Sequence, residues 1–290
     1  MIHFIRFLLL VLPAFSSIAQ ATTSYCTFDD IRRKDVSGCI CQGHKDDCAA
    51  VKGCFACTYE IKERRTHSKA PQCPVGCTAQ DWNCKGCGIW YTTLCNSLQL
   101  CLKGSKCVSS NTISKNGPSS WILLPQDEPL ITNTDPLPGI LEMANNPGKY
   151  GDAFDFAQRN YDPDKQALAL NSVRTRTMEQ FHIHVCSKPT KQNPRVITRL
   201  QAAKLNPTKE LLPIPKLKST DPNLWCKSVA SGKGPVTDFV QSIHALLQKP
   251  KTVCPEIAGA AIVQDFNKNR WGCVTDSKDG PLPDFCSGHH

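Results

Sequence analysis

Three features are missing from this sequence, and each absence removes a class of protein. No apolar run reaches the roughly 20 residues that a membrane-crossing helix needs. The N-terminal stretch Phe7-Leu8-Leu9-Leu10-Val11-Leu12 is well short of that, so a permanent anchor is not expected. No block of consecutive basic residues with interleaved aromatics occurs, so nucleic acid is not an expected partner. No internal repeat is visible, which argues against a solenoid or an array. The region before residue 107 is also poor in large aliphatic side chains and cannot be held together by burial alone.

What is present points to export. Arg6 precedes the short apolar run, and Ala19-Gln20-Ala21 follows it as a small-residue cleavage site, so residues 1–21 read as a signal peptide. The chain has 18 cysteines, an even total that allows nine bridges and fits an oxidising compartment. The expected localisation is secreted (extracellular). A net charge of +9 over 290 residues leaves two readings open, a solvated basic surface or attraction to anionic substrates and lipid head groups.

Composition divides the chain. Thirteen cysteines fall between Cys26 and Cys107, and only Cys186, Cys226, Cys254, Cys273 and Cys286 follow. Both counts are odd, so either a bridge joins the two regions or a thiol is free; the expectation is a bridge, or a domain boundary lying a little before Cys101. Close pairs such as Cys39-Ile40-Cys41, Cys54-Phe55-Ala56-Cys57, Cys73-Pro74-Val75-Gly76-Cys77 and Cys84-Lys85-Gly86-Cys87 would suggest zinc in a reducing setting. Behind a signal peptide they read as a disulfide scaffold, either an accessory module or a surface-binding one. The division adopted is a cysteine-rich region at 22–95 and a second domain at 96–290.

The second domain reads as α+β. Strands are expected at Trp121-Ile122-Leu123-Leu124, ending at Pro125, and at Gln166-Ala167-Leu168-Ala169-Leu170. Helices are expected within 138–146, 151–159 and 195–205, and across Val236, Phe239, Val240, Ile243, Leu246 and Leu247, which share one face. A hairpin is expected from Ile257–Val263 to Trp271–Val274, turning near Asn267-Lys268-Asn269, and a proline-rich loop over 205–220.

Chemistry concentrates in Gln180-Phe181-His182-Ile183-His184-Val185-Cys186. Alternation predicts a half-buried strand with Gln180, His182, His184 and Cys186 on one face, the imidazoles roughly 7 Å apart. The preceding strand ends at Asn171-Ser172, and a short connection holds Arg174 and Arg176. If the two strands are antiparallel neighbours, one face gathers two histidines, an amide and guanidinium groups, a set suited to a phosphate ester. Imidazole is nucleophilic at neutral pH, and arginine and asparagine can hold phosphoryl oxygens. The same spacing serves a metal site, with His244, Asp265 or a free Cys186 as third ligand, or no function at all.

The order of residues adds a resemblance. Ala167-Leu168-Ala169-Leu170-Asn171-Ser172, Arg176-Thr177 and Gln180-Phe181-His182-Ile183-His184-Val185-Cys186 resemble the CDP-diacylglycerol pyrophosphatase family of the histidine-triad superfamily. Trp121-Ile122-Leu123-Leu124-Pro125 and Pro129-Leu130-Ile131-Thr132 resemble its upstream segments. The resemblance covers about residues 96–277 and implies a histidine-triad-like antiparallel half-barrel with packed helices. It further implies hydrolysis of CDP-diacylglycerol, or a related nucleoside diphosphate conjugate, to CMP and phosphatidate. In that family's pattern His182 is the nucleophile and His184 the last triad histidine, with Asn171, Ser172, Arg174, Arg176 and Gln180 lining the substrate. Gln180 stands where the first triad histidine does, and Met178 where a glutamine is usual. No cofactor and no metal are implied; the expected partner is a nucleotide-lipid or similar small molecule, with contact to a membrane surface. The alternative is a secreted cysteine-rich interaction protein whose second domain is degenerate.

Overall fold

The computed structural model describes residues 25–26, 28–41, 91–102, 120–124, 128–135, 137, 139–176 and 180–288. The signal segment, the cysteine pairs from Cys54 to Cys87, Cys107, Pro125 and Met178 lie outside them. Strands β1 (Trp121–Leu124), β2 (Leu130–Asn133), β3 (Gln166–Leu170), β4 (His182–Ser187), β5 (Leu212–Pro213), β6 (Leu224–Val229), β7 (Gly259–Gln264) and β8 (Arg270–Thr275) form one sheet. Its order is β1-β2-β4-β3-β7-β8-β6-β5, and every pairing is antiparallel. The architecture is thus mixed α and β around an antiparallel sheet.

Period-two alternation gives the sheet two buried faces. Leu168, Leu170, Ile183, Val185, Ala260 and Ile262 project to one. That face is covered by α3 (Ile140–Asn145), α4 (Pro147–Tyr150), α5 (Ala153–Arg159) and α7 (Phe239–Leu247). Helix α7 follows from Phe239, Val240, Ile243 and Leu246, which recur at helical spacing and are all buried. Each such side chain contributes on the order of 2 kcal/mol by leaving water. Ala167, Ala169, Ala261, Val263 and Cys273 point to the other face, covered in part by α6 (Ile197–Ala202) and α8 (Leu282–Phe285). Strand β7 is buried at every position, which is why its sequence runs apolar without alternation.

An N-terminal piece docks at the β1–β2 end. Ile31 of α1 (Phe28–Arg33) and Leu94 and Leu98 of α2 (Tyr91–Leu102) pack with Ile122, Leu124 and Leu130. Arg32 Nε lies 3.2 Å from the buried Asp135 carboxylate, which also accepts from Lys149 and Tyr150. Helix α2 crosses residue 95, where the sequence reading divides the regions.

Four disulfides lie among the described residues: Cys26–Cys39, Cys41–Cys95, Cys186–Cys286 and Cys226–Cys273. Cys254 is disulfide-bonded too, and because the other four cysteines after residue 107 pair with one another, its bridge runs out of that set. Bridges at this density belong to an oxidising environment. No helix among the described residues is long and apolar enough to cross a membrane.

Candidate functional site

The strand at the centre of the site begins at His182, two residues later than its alternation suggests. Gln180 and Phe181 are held instead by the end of β2 and the loop after it. Gln180 Nε2 donates to the Asn133 carbonyl at 3.1 Å, Phe181 N–H donates to Leu137 O, and Thr132 Oγ1 donates to Phe181 O at 2.7 Å. Strand β4 then lies between β2 and β3, with Thr132 opposite His182, and Leu130 and Ala169 flanking His184. The β3–β4 register, Leu170 with Ile183, carried one residue further sets Asn171 opposite His182.

The two imidazoles project to the same face. Their ring centroids are 5.0 Å apart, closer than the strand repeat alone gives, because the rings tilt edge to face at 65°. His182 is buried at 4% exposure. Burial, then the neighbouring His184, pushes its pKa down to about 3, so the ring is neutral at physiological pH. Its Nδ1 lies 2.6 Å from the Gln180 carbonyl oxygen, which can only accept. The proton therefore sits on Nδ1, and Nε2 carries the lone pair. A nucleophilic imidazole needs this tautomer.

His184 is held differently. Its Nδ1 faces Oε1 of Glu128 at 3.2 Å. This contact sets the orientation of the His184 ring beside that of His182. Glu128 escapes a reading by spacing because it acts from the turn before β2, and only the sheet order brings it to His184.

The other expected site residues divide by occupation. Asn171 is nearly buried, and its Oδ1 accepts from Thr175 Oγ1 at 3.4 Å. This leaves its amide nitrogen, which makes no hydrogen bond among the described residues, as a donor. Ser172 builds the connection itself: its carbonyl accepts from the amides of Thr175 and Arg176, and its Oγ bonds Thr175 Oγ1 at 3.0 Å. Arg174 is half-buried on that turn. Arg176 is buried at 3% exposure, with Nη1 3.9 Å from Glu142 Oε2 and packed on Gly139, where a Cβ would collide with it. It still lies close enough to help hold His182 neutral. Gln180 is spent on Asn133, so its amide is structural here.

The ligands considered for a metal do not assemble. Cys186 is bonded to Cys286 and is not a free thiol. His244 sits on α7, which covers the opposite face. Asp265 is consumed by its hairpin, accepting from the amides of Asn267 and Asn269 and from Trp271 Nε1. Among the described residues the only group at ligand spacing is Cys26, Cys41 and Cys95, and these sulfurs belong to two disulfides.

No protein-family model matches the chain, and no curated protein matches it.

Proposed function

We propose that the protein is a secreted hydrolase that cleaves the pyrophosphate of CDP-diacylglycerol, or of a related nucleoside diphosphate conjugate, through a nucleotidyl-histidine intermediate on a histidine-triad-like fold. The observation that carries this reading is the pair His182 and His184 on one face, the first neutral with its Nδ1 proton held by Gln180 O. His182 Nε2 attacks the α-phosphorus, forming an N–P bond as the bond to the bridging oxygen breaks. Phosphatidate leaves as a stable anion, so no strong acid has to assist it. Water then attacks the same phosphorus, the N–P bond breaks, and CMP, a proton and neutral His182 are released. Asn171 Nδ2 supplies a donor to the non-bridging oxygens, His184 orients the phosphoryl group, and Arg176 lends positive potential.

The direct test is turnover of CDP-diacylglycerol by the mature protein beside a His182→Ala variant. The reading expects CMP release by the first and none by the second. A variant as active as the parent removes it.

A second reading has one observation in its favour, the 4% exposure of His182. A nucleophile so covered suits a degenerate domain serving a secreted cysteine-rich interaction protein. It expects no CMP release from any nucleotide conjugate by either protein.

A further inference from the structure

A cavity of about 480 Å³ lies between the residues leading into α6, the loop at 217–222 and α8. It shares no lining residue with the histidine cluster. Its charged groups come from every side: Arg195 and Arg199 from α6 and its approach, Lys218 and Asp221 from the loop, and Asp284 from α8. Three cations thus face two carboxylates.

The groups differ in how far they are committed. Arg199 is buried, donates to the carbonyls of Ile214, Pro215 and Pro222, and lies 3.7 Å from Asp221. Asp221 in turn accepts from the amides of Leu217 and Lys218, both at 2.9 Å, which hold it ionised. This pair is a fixed wall. Arg195 Nη1 donates to the carbonyls of Pro283 and Cys286, which anchors its guanidinium beside α8. The wall and anchor leave Lys218 and Thr198, whose side chains make no hydrogen bond or ion pair among the described residues, and Asp284 as the one lining carboxyl without a fixed donor among them.

We propose that this cavity binds a small oxyanion, a phosphate, sulfate or carboxylate group, and that it does so more tightly in acid. Lys218 and the Thr198 hydroxyl supply the donors, and the fixed guanidiniums of Arg195 and Arg199 add positive potential. The acid dependence comes from Asp284. Burial raises its pKa to about 6 against the pull of Arg199 and Arg195, and Asp221 and Asp279 push the same way as burial. Above that pH the ionised carboxylate repels an incoming anion and competes for the cations. Below it the carboxyl is neutral and its O–H becomes a donor. Affinity therefore rises as pH falls through the Asp284 transition. This site does not depend on the histidine chemistry.

The experiment is an NMR titration of the full mature protein with sodium sulfate, whose charge is constant over the range, against sodium chloride at equal ionic strength. Saturable shifts are expected at the amides of Arg195 and Thr198, with affinity about tenfold higher near pH ~5 than near pH ~7.5, as one linked proton allows. Asp284→Asn is expected to bind at both pH values as the parent does in acid. Lys218→Glu, on the exposed loop, is expected to weaken binding at both. Absence of saturable shifts in acid overturns the proposal, as does shifting by chloride alone. A pH dependence kept by Asp284→Asn, or affinity untouched by Lys218→Glu, counts against it equally; if Asp284→Asn does not fold, the Lys218 variant decides.

Discussion

Nδ1 of His184 lies 3.2 Å from Oε1 of Glu128, and this contact joins the turn before β2 to the strand that carries both imidazoles. It fixes the plane of the His184 ring against that of His182. Glu128→Gln keeps the shape and removes the charge. The expected outcome is a drop in kcat of about 10-fold to 100-fold with KM little changed, since the loss falls on charge developing in the transition state. An unchanged kcat would mean the contact only shapes the turn.

The burial of His182 has a consequence for stability. Its folded pKa, about 3, is below the ordinary value near 6.5. The unfolded chain therefore takes up a proton at this residue as pH falls below about 6.5, while the native state does not. The stability linked to this group is fully present above that pH and is lost as pH falls toward the folded value. The slope is up to about 1.4 kcal/mol per pH unit. Denaturant unfolding from pH ~7 to pH ~4.5 checks it against His182→Gln, which is expected to lose less stability over the same range. Parallel curves for the two proteins would contradict this.

The C-terminal segment lies on the sheet face to which both imidazoles project. Cys286 is bonded to Cys186, two residues beyond His184, and Ser287 bonds the carbonyls of Ser187 and Lys188. The bridge closes a sequence separation of 100 residues. Replacing both cysteines by serine is expected to cost about 2–4 kcal/mol in unfolding experiments. A loss under about 1 kcal/mol would show that packing of Phe285 alone seats the segment.

Gly280 makes a second contact from the same segment. Its φ is +77°, in the left-handed region, and a Cβ there would press on Thr175 and approach Asn171 Oδ1. Gly280→Ala combines backbone strain with that contact and is expected to destabilise by about 1–2 kcal/mol. It is also expected to lower turnover, because Asn171 stands opposite His182. Reduced stability with full turnover would separate Asn171 from the chemistry.

Local patterning was readable for several single elements, while the strands Leu130–Asn133 and Leu224–Val229, and Leu212–Pro213 inside the expected loop over 205–220, were not read. Gln166–Leu170 is a strand at its expected limits, and the alternation around His182 correctly placed both imidazoles on one face. The apolar residues of α7 and the hairpin through Asn267–Asn269 followed from the same spacing rules. What was not readable depends on elements far apart in sequence. Glu128 meets His184 across 56 residues, and Cys186 finds Cys286 across 100. Gln180 was expected to face the substrate, and its Nε2 donates to the carbonyl of Asn133 at the end of β2. Arg176 carries no sign in the sequence of Glu142 or of the space that Gly139 leaves for it.

The most direct measurement is a rapid alkaline quench of the mature protein turning over CDP-diacylglycerol, followed by peptide mass spectrometry. The account expects a cytidylyl group on His182 and on no other residue, absent in His182→Ala. Turnover with no adduct at His182, or an adduct elsewhere, would contradict it.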